Sequence, residues 1–93
     1  MKAKWNRQVL ADSDSTIVVE NNYYFPPSSI NSQFFNHSET TSICPWKGKA
    51  NYYNISVDGE VNQDAAWYYA KPKEDALDIK GYVSFWKGVE IST

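Results

Sequence analysis

The chain has 93 residues, a formal net charge of -2 and 16% aromatic residues, so it makes one small domain whose thin core depends on large rings. That acidic balance, with a sequence pI of about 5.2, lacks the basic stripe of a nucleic-acid-binding protein. A single cysteine excludes an internal disulfide and a cysteine-built zinc site, no apolar run reaches membrane-spanning length, and residues 1–6 lack the apolar stretch of a secretory signal. The expectation is a protein of a reducing compartment, the cytoplasm by default, with no nucleic-acid or membrane partner and no cofactor.

Residues 2–10 alternate, with Ala3, Trp5 and Val9 on one side and Lys2, Lys4, Asn6 and Gln8 on the other. Arg7 interrupts the apolar side, which predicts an edge strand. Residues 11–14 read as a turn, and the β-branched run from Thr16 to Glu20 as the second strand of a hairpin. Asn21-Asn22 suits a tight turn, because Asn tolerates positive φ better than most residues. Tyr23-Tyr24-Phe25 predicts a short strand stopped by Pro26-Pro27. Ser28 then suits the cap of a single helical turn carrying Ile30, Phe34 and Phe35, and the polar stretch 36–42 reads as a loop.

Gly48 to Val57 reads as the longest strand, closed by the hairpin dipeptide Asp58-Gly59. Val61 returns briefly, and residues 65–69 form another strand. Pro72 at a first helical position, Glu74 and Asp75 after it and Gly81 past the end predict a helix of about two turns over 72–80, with Ala76, Leu77 and Ile79 on its apolar side. Residues 82–86 and 89–91 close the chain as strands. The fold class is therefore mainly β: a single domain of about seven antiparallel strands, two sheets meeting over a partly open aromatic core, and one short helix near 72–80. A small closed barrel is the alternative.

The chemistry-bearing residues gather around the only cysteine, in Cys44-Pro45-Trp46-Lys47-Gly48. If the chain is extended from Cys44, then Cys44, Trp46, Gly48, Ala50 and Tyr52 share one face, and the two small residues leave a depression between rings. Trp67, Tyr69 and Trp86 bring rings from further strands. This pattern predicts a pocket for a small polar or anionic molecule, walled by Trp46, Tyr52, Trp67, Tyr69 and Trp86, with charge from Lys47, bulk removed at Gly48, and Cys44 on the floor. On this reading Lys47→Met leaves stability almost unchanged. Two alternatives stand beside it: a cysteine-dependent enzyme using Cys44 as nucleophile, and a protein-interaction module with an exposed aromatic patch. In a strict strand Lys47 points away from Cys44, which weakens the activated-thiol alternative. His37, the only histidine, reads as a solvated loop residue, and no ligand spacing supports a metal.

The segments 44–53, Asp64-Ala65-Ala66-Trp67-Tyr68-Tyr69 and Ile79-Lys80-Gly81-Tyr82-Val83-Ser84-Phe85-Trp86, with Ala3-Lys4-Trp5-Asn6 and Tyr23-Tyr24-Phe25-Pro26, resemble the family called domain of unknown function 427. The resemblance covers nearly the whole chain and implies a small, mostly β protein with a fold like the Mss4-like β-tent group and no established activity. A nucleotidyltransferase label is sometimes attached to the family. Here Asp12-Ser13-Asp14 has the carboxylate spacing, but no Gly-Ser turn precedes it and it falls in an expected turn. The resemblance also implies Gly where Arg7 stands, which alters the first turn.

Overall fold

The computed structural model describes residues 1–93, which form nine strands in three antiparallel sheets and no α-helix. Strand β1 (Lys2–Trp5) lies between β2 (Gln8–Asp12) and β9 (Glu90–Ser92) in the first sheet. Strands β3 (Ile17–Val19) and β4 (Asn22–Tyr24) make a two-stranded ribbon. The large sheet runs in order β5 (Phe35–Cys44), β6 (Gly48–Val57), β7 (Glu60–Tyr68) and β8 (Val83–Phe85). Phe25 and Val83 exchange two backbone hydrogen bonds of 2.8 and 2.9 Å, so the ribbon is stitched to the free edge of β8.

The longest expected strand has the expected bounds. Its second half alternates Tyr53, Ile55 and Val57 with the polar Asn54 and Ser56, and Asp58 and Gly59 supply the two positive φ angles, 50° and 81°, of a tight hairpin. Ile55 and Val57 are buried in the main core with Leu10, Phe25, Val83 and Phe85. Phe85 meets Phe25 and Phe35 edge-on, at 5.6 and 6.0 Å. Ala50 points to the opposite side, into a second cluster with Tyr24, Tyr69, Ala76 and Ile79. The alternation of β6 thus divides the interior into an aliphatic–phenylalanine core and a tyrosine-lined one, and the candidate site adjoins the latter.

Several expectations are corrected. Residues 2–10 are two strands, because Asn6 and Arg7 turn the chain at φ 49° and 68°. An arginine thus holds a left-handed position where the resemblance implies glycine. Residues 11–14 accordingly begin within β2, and β3 pairs with β4 around Glu20-Asn21, one residue before the expected turn. The expected loop 36–42 lies inside β5. It has no apolar alternation because it is an edge strand exposed for most of its length, held by backbone pairing to β6. The helical turn after Ser28 is two 3-10 turns, Pro27–Ser29 and Ser32–Phe34, with Phe35 already in β5.

Residues 60–68 are one strand, kinked where Asp64 takes φ 57°. The helix near 72–80 is a 3-10 stretch, Glu74–Ile79, interrupted at Ala76 by φ -121°. Ala76 and Ile79 are buried but Leu77 is exposed, since i and i+3 share a face in a three-residue turn and i+1 does not. The final strands are shorter than expected, at 83–85, or displaced by one residue, at 90–92.

Candidate functional site

The β5–β6 hairpin builds one end of the site. Cys44 pairs with Gly48, so Pro45, Trp46 and Lys47 form its turn and do not continue a strand. The segment 71–73 fixes this turn from outside. Lys73 N–H donates to the Lys47 carbonyl at 2.8 Å, and Lys73 Nζ donates to the Pro45 carbonyl at 2.7 Å. Gly48 lies against the same segment at φ 111°, and a Cβ there would sit 3.5 Å from Lys73 N. A side chain at that angle is strained whatever the space, so glycine suits the position.

The turn drives Lys47 inward, where only 6% of it is exposed. Its ammonium makes an ion pair with Glu20 from the β3–β4 turn and lies 3.9 Å from Cys44 Sγ. It also sits 4.8 Å from the Trp46 ring centroid and 5.8 Å from that of Tyr69. Burial pulls the Lys47 ammonium down, but the hydrogen bond to Glu20 and the fields of Tyr24 and Tyr69 outweigh it, leaving the pKa above its ordinary value. The extended-strand argument that separated Lys47 from Cys44 fails because the chain reverses between them. For the thiol, burial acts upward, yet the backbone N–H groups of Lys47 and Trp46 and the nearby ammonium hold Cys44 below its ordinary pKa.

A cavity of about 190 Å³ opens beside Lys47, lined also by Asn22, Tyr24, Tyr52, Trp67, Tyr69 and Trp86. The rings meet at near right angles: Tyr24 and Trp67 at 6.3 Å and 88°, Trp67 and Trp86 at 5.9 Å and 83°. Trp67 Nε1 donates to Tyr24 Oη at 3.2 Å, and Tyr52 Oη is paired with Ser42 Oγ at 2.9 Å. Trp86 Nε1 donates to the Asp64 carbonyl, at the kink of β7. The Asp64 carboxylate accepts from Ser38 and Thr40, which brace that kink from β5. Burial raises Tyr69 to about 12 and Tyr24 above its ordinary value, so both phenols are protonated donors near neutral pH.

The structure therefore brings Lys47, Tyr52, Trp67, Tyr69 and Trp86 to one cavity. Trp46 is not on its wall; it rides on the outside of the turn, 40% exposed. Cys44 lies behind Lys47 and Gly48 against the 71–73 segment, neither on the lining. Asn22, Tyr24 and Glu20 were missed, since they come from a ribbon whose approach to β6 and β7 depends on the Phe25–Val83 pairing. The doublet Tyr23-Tyr24 was the available signal.

Other candidates fall elsewhere. His37 lies on β5 beside the Tyr53 ring, at 5.2 Å. Asp12 and Asp14 are exposed near the end of β2. No three His, Cys, Asp or Glu side chains converge as a set of metal ligands. A wider recess of about 240 Å³ at Lys49, Asn51, Ala70 and Lys71 has no aromatic wall. No helix is long and apolar enough to cross a membrane. The model of a family described as a domain of unknown function (DUF427) matches residues 1–92, and no curated protein matches the chain.

Proposed function

The chain belongs to the DUF427 family, and we propose that it binds a small polar molecule in the cavity between the β3–β4 ribbon and the large sheet. The observation that supports this most is Lys47, a nearly buried ammonium on the wall of a mostly aromatic cavity. A core built only for stability has no need of a charge there, because replacing a whole buried ion pair by apolar side chains is often neutral or stabilising. The cavity is smaller than the roughly 300–1,000 Å³ typical of drug-sized ligands, which favours a ligand of about one ring. The unpaired thiol supports a reducing, cytoplasmic setting, and the acidic charge speaks against a nucleic-acid partner.

A metabolite screen by thermal shift tests this reading. A ligand at a hundred times its Kd adds about 2.7 kcal/mol of stability. We expect a hit on the wild type that Lys47→Met weakens tenfold or more and Trp67→Phe weakens less. A hit equally strong on folded Lys47→Met and Trp67→Phe variants would refute binding at this cavity.

Cys44 supports a second reading. Its depressed pKa and the two backbone N–H groups aimed at it suit a nucleophile. No imidazole hydrogen-bonds to it, and His37 lies beside Tyr53 further along β5, so this reading rests on the turn alone.

A further inference from the structure

Tyr69 distinguishes one end of the cavity from the other. It is only 5% exposed, and its phenol makes no hydrogen bond within the chain, although the side chain lines the cavity. Buried hydroxyls normally find partners. No fully buried side-chain polar atom in this protein lacks a partner, so the Tyr69 oxygen is not sealed off, and the side chain that carries it lines the cavity. Whatever partners that hydroxyl therefore enters by the cavity, water in the free protein and a ligand when one is bound.

The neighbouring groups say what that partner offers. Tyr24 Oη already accepts from Trp67 Nε1, which leaves its own proton to donate. Lys47 gives one proton to Glu20 and makes a long contact with Cys44, which leaves a third for the cavity. Three donors with raised pKa values thus face the same space, and their ligand must be rich in acceptors. A single ammonium, already shared with Glu20, compensates one negative charge better than the two of a phosphate. Glu20 is half-exposed, so water screens it from an incoming anion and the ligand need not displace it. Beyond the donors stand Trp67 and Trp86, at right angles, offering a ring face beside a ring edge.

We infer that the cavity takes a small planar carboxylate, its oxygens held by Tyr69, Tyr24 and Lys47 and its flat body set against Trp67 and Trp86. The volume agrees: a cavity of about 150 Å³ holds one benzene, so about 190 Å³ leaves room for a six-membered ring and one carboxylate. This rests on the small-molecule reading of the same cavity.

The test uses matched probes on the whole chain: benzoate, benzamide, benzylamine, phenyl phosphate and acetate. Binding is followed by the indole N–H resonances of Trp67 and Trp86, assigned with single Trp→Phe variants. Benzoate is expected to move both resonances and to bind at least tenfold tighter than benzamide, benzylamine or acetate. Tyr69→Phe is expected to lose about tenfold to a hundredfold of benzoate affinity, the effect of one hydrogen bond to a charged group. Its unfolding midpoint should not fall, because that hydroxyl has no partner within the chain. Benzoate affinity unchanged in Tyr69→Phe overturns the assignment. Tighter binding of benzylamine or phenyl phosphate at the same two resonances overturns the carboxylate class and leaves the pocket standing. If no probe moves either resonance while the metabolite screen yields a ligand that does, the class again falls alone. If neither set moves them, the pocket reading falls too.

Discussion

Removing either half of the Lys47–Glu20 pair should have unequal effects, and the inequality is calculable. Lys47 is 6% exposed, whereas the Glu20 side chain is 55% exposed. In Lys47→Met the apolar stem is retained and the surviving carboxylate is already half in water. The loss is then that of an exposed ion pair, at most about 1 kcal/mol. In Glu20→Gln the survivor is an ammonium enclosed by Trp46 and Tyr69, with Cys44 Sγ 3.9 Å away. It loses a charge-assisted hydrogen bond of about 1.5–3 kcal/mol, short of the 3–5 kcal/mol for opening a fully buried pair because the cavity admits water. For a domain of this size each kcal/mol moves Tm by about 4–8 °C. Thermal unfolding followed by circular dichroism should therefore place Glu20→Gln about 6–24 °C below wild type and Lys47→Met no more than about 8 °C below. The double variant should track Lys47→Met, since no ammonium remains to be stranded. Glu20→Gln no worse than Lys47→Met, or a double variant as unstable as Glu20→Gln alone, would refute the reasoning.

Two further outcomes depend on pH. Hydrogen bonds from Ser38, and less strongly from Thr40, hold the Asp64 carboxyl below its ordinary pKa, so its stabilising effect is present above the unfolded-state value near 4 and is lost as pH falls through the lower folded value. Asp64→Asn tolerates the same positive φ; its Tm deficit at pH 7 should shrink toward zero in acid, and a deficit constant with pH would count against the assignment. Cys44 should react with iodoacetamide with a midpoint below that of free cysteine, and Lys47→Met should move the midpoint upward, because the backbone N–H groups remain but the ammonium does not. An unshifted midpoint in that variant would show that the ammonium has no part in lowering the thiol.

What the sequence disclosed depended on whether local chemistry or long-range closure set the answer. Strand β6 was legible because its alternation and its Asp58-Gly59 turn are local signals. The mainly β class and the rings of Tyr52, Trp67, Tyr69 and Trp86 were legible for the same reason. Strand β5 was not, since an edge strand needs no apolar face and its residues read as loop. The fate of Cys44, Trp46 and Lys47 turned on whether residues 45–47 reverse the chain, and that reversal is held by Lys73, far along the sequence. Glu20 lies 27 positions from Lys47, and no periodicity reports such a meeting.

The polar edge that concealed β5 has a consequence for how copies of the protein treat one another. Its outer side carries ten residues of backbone with no neighbouring strand, the kind of border onto which another chain can add. Between His37 and Thr41 the pairing with β6 slips, and Ser38 and Thr40 turn to the Asp64 carboxylate. The irregularity breaks a flat ten-residue template into two short pieces, and Glu39 adds a charge at the break. The same brace that supports Trp86 at the cavity thus keeps the sheet from growing sideways, so loosening it would disturb the shape of the cavity and the resistance to fibrous self-association together.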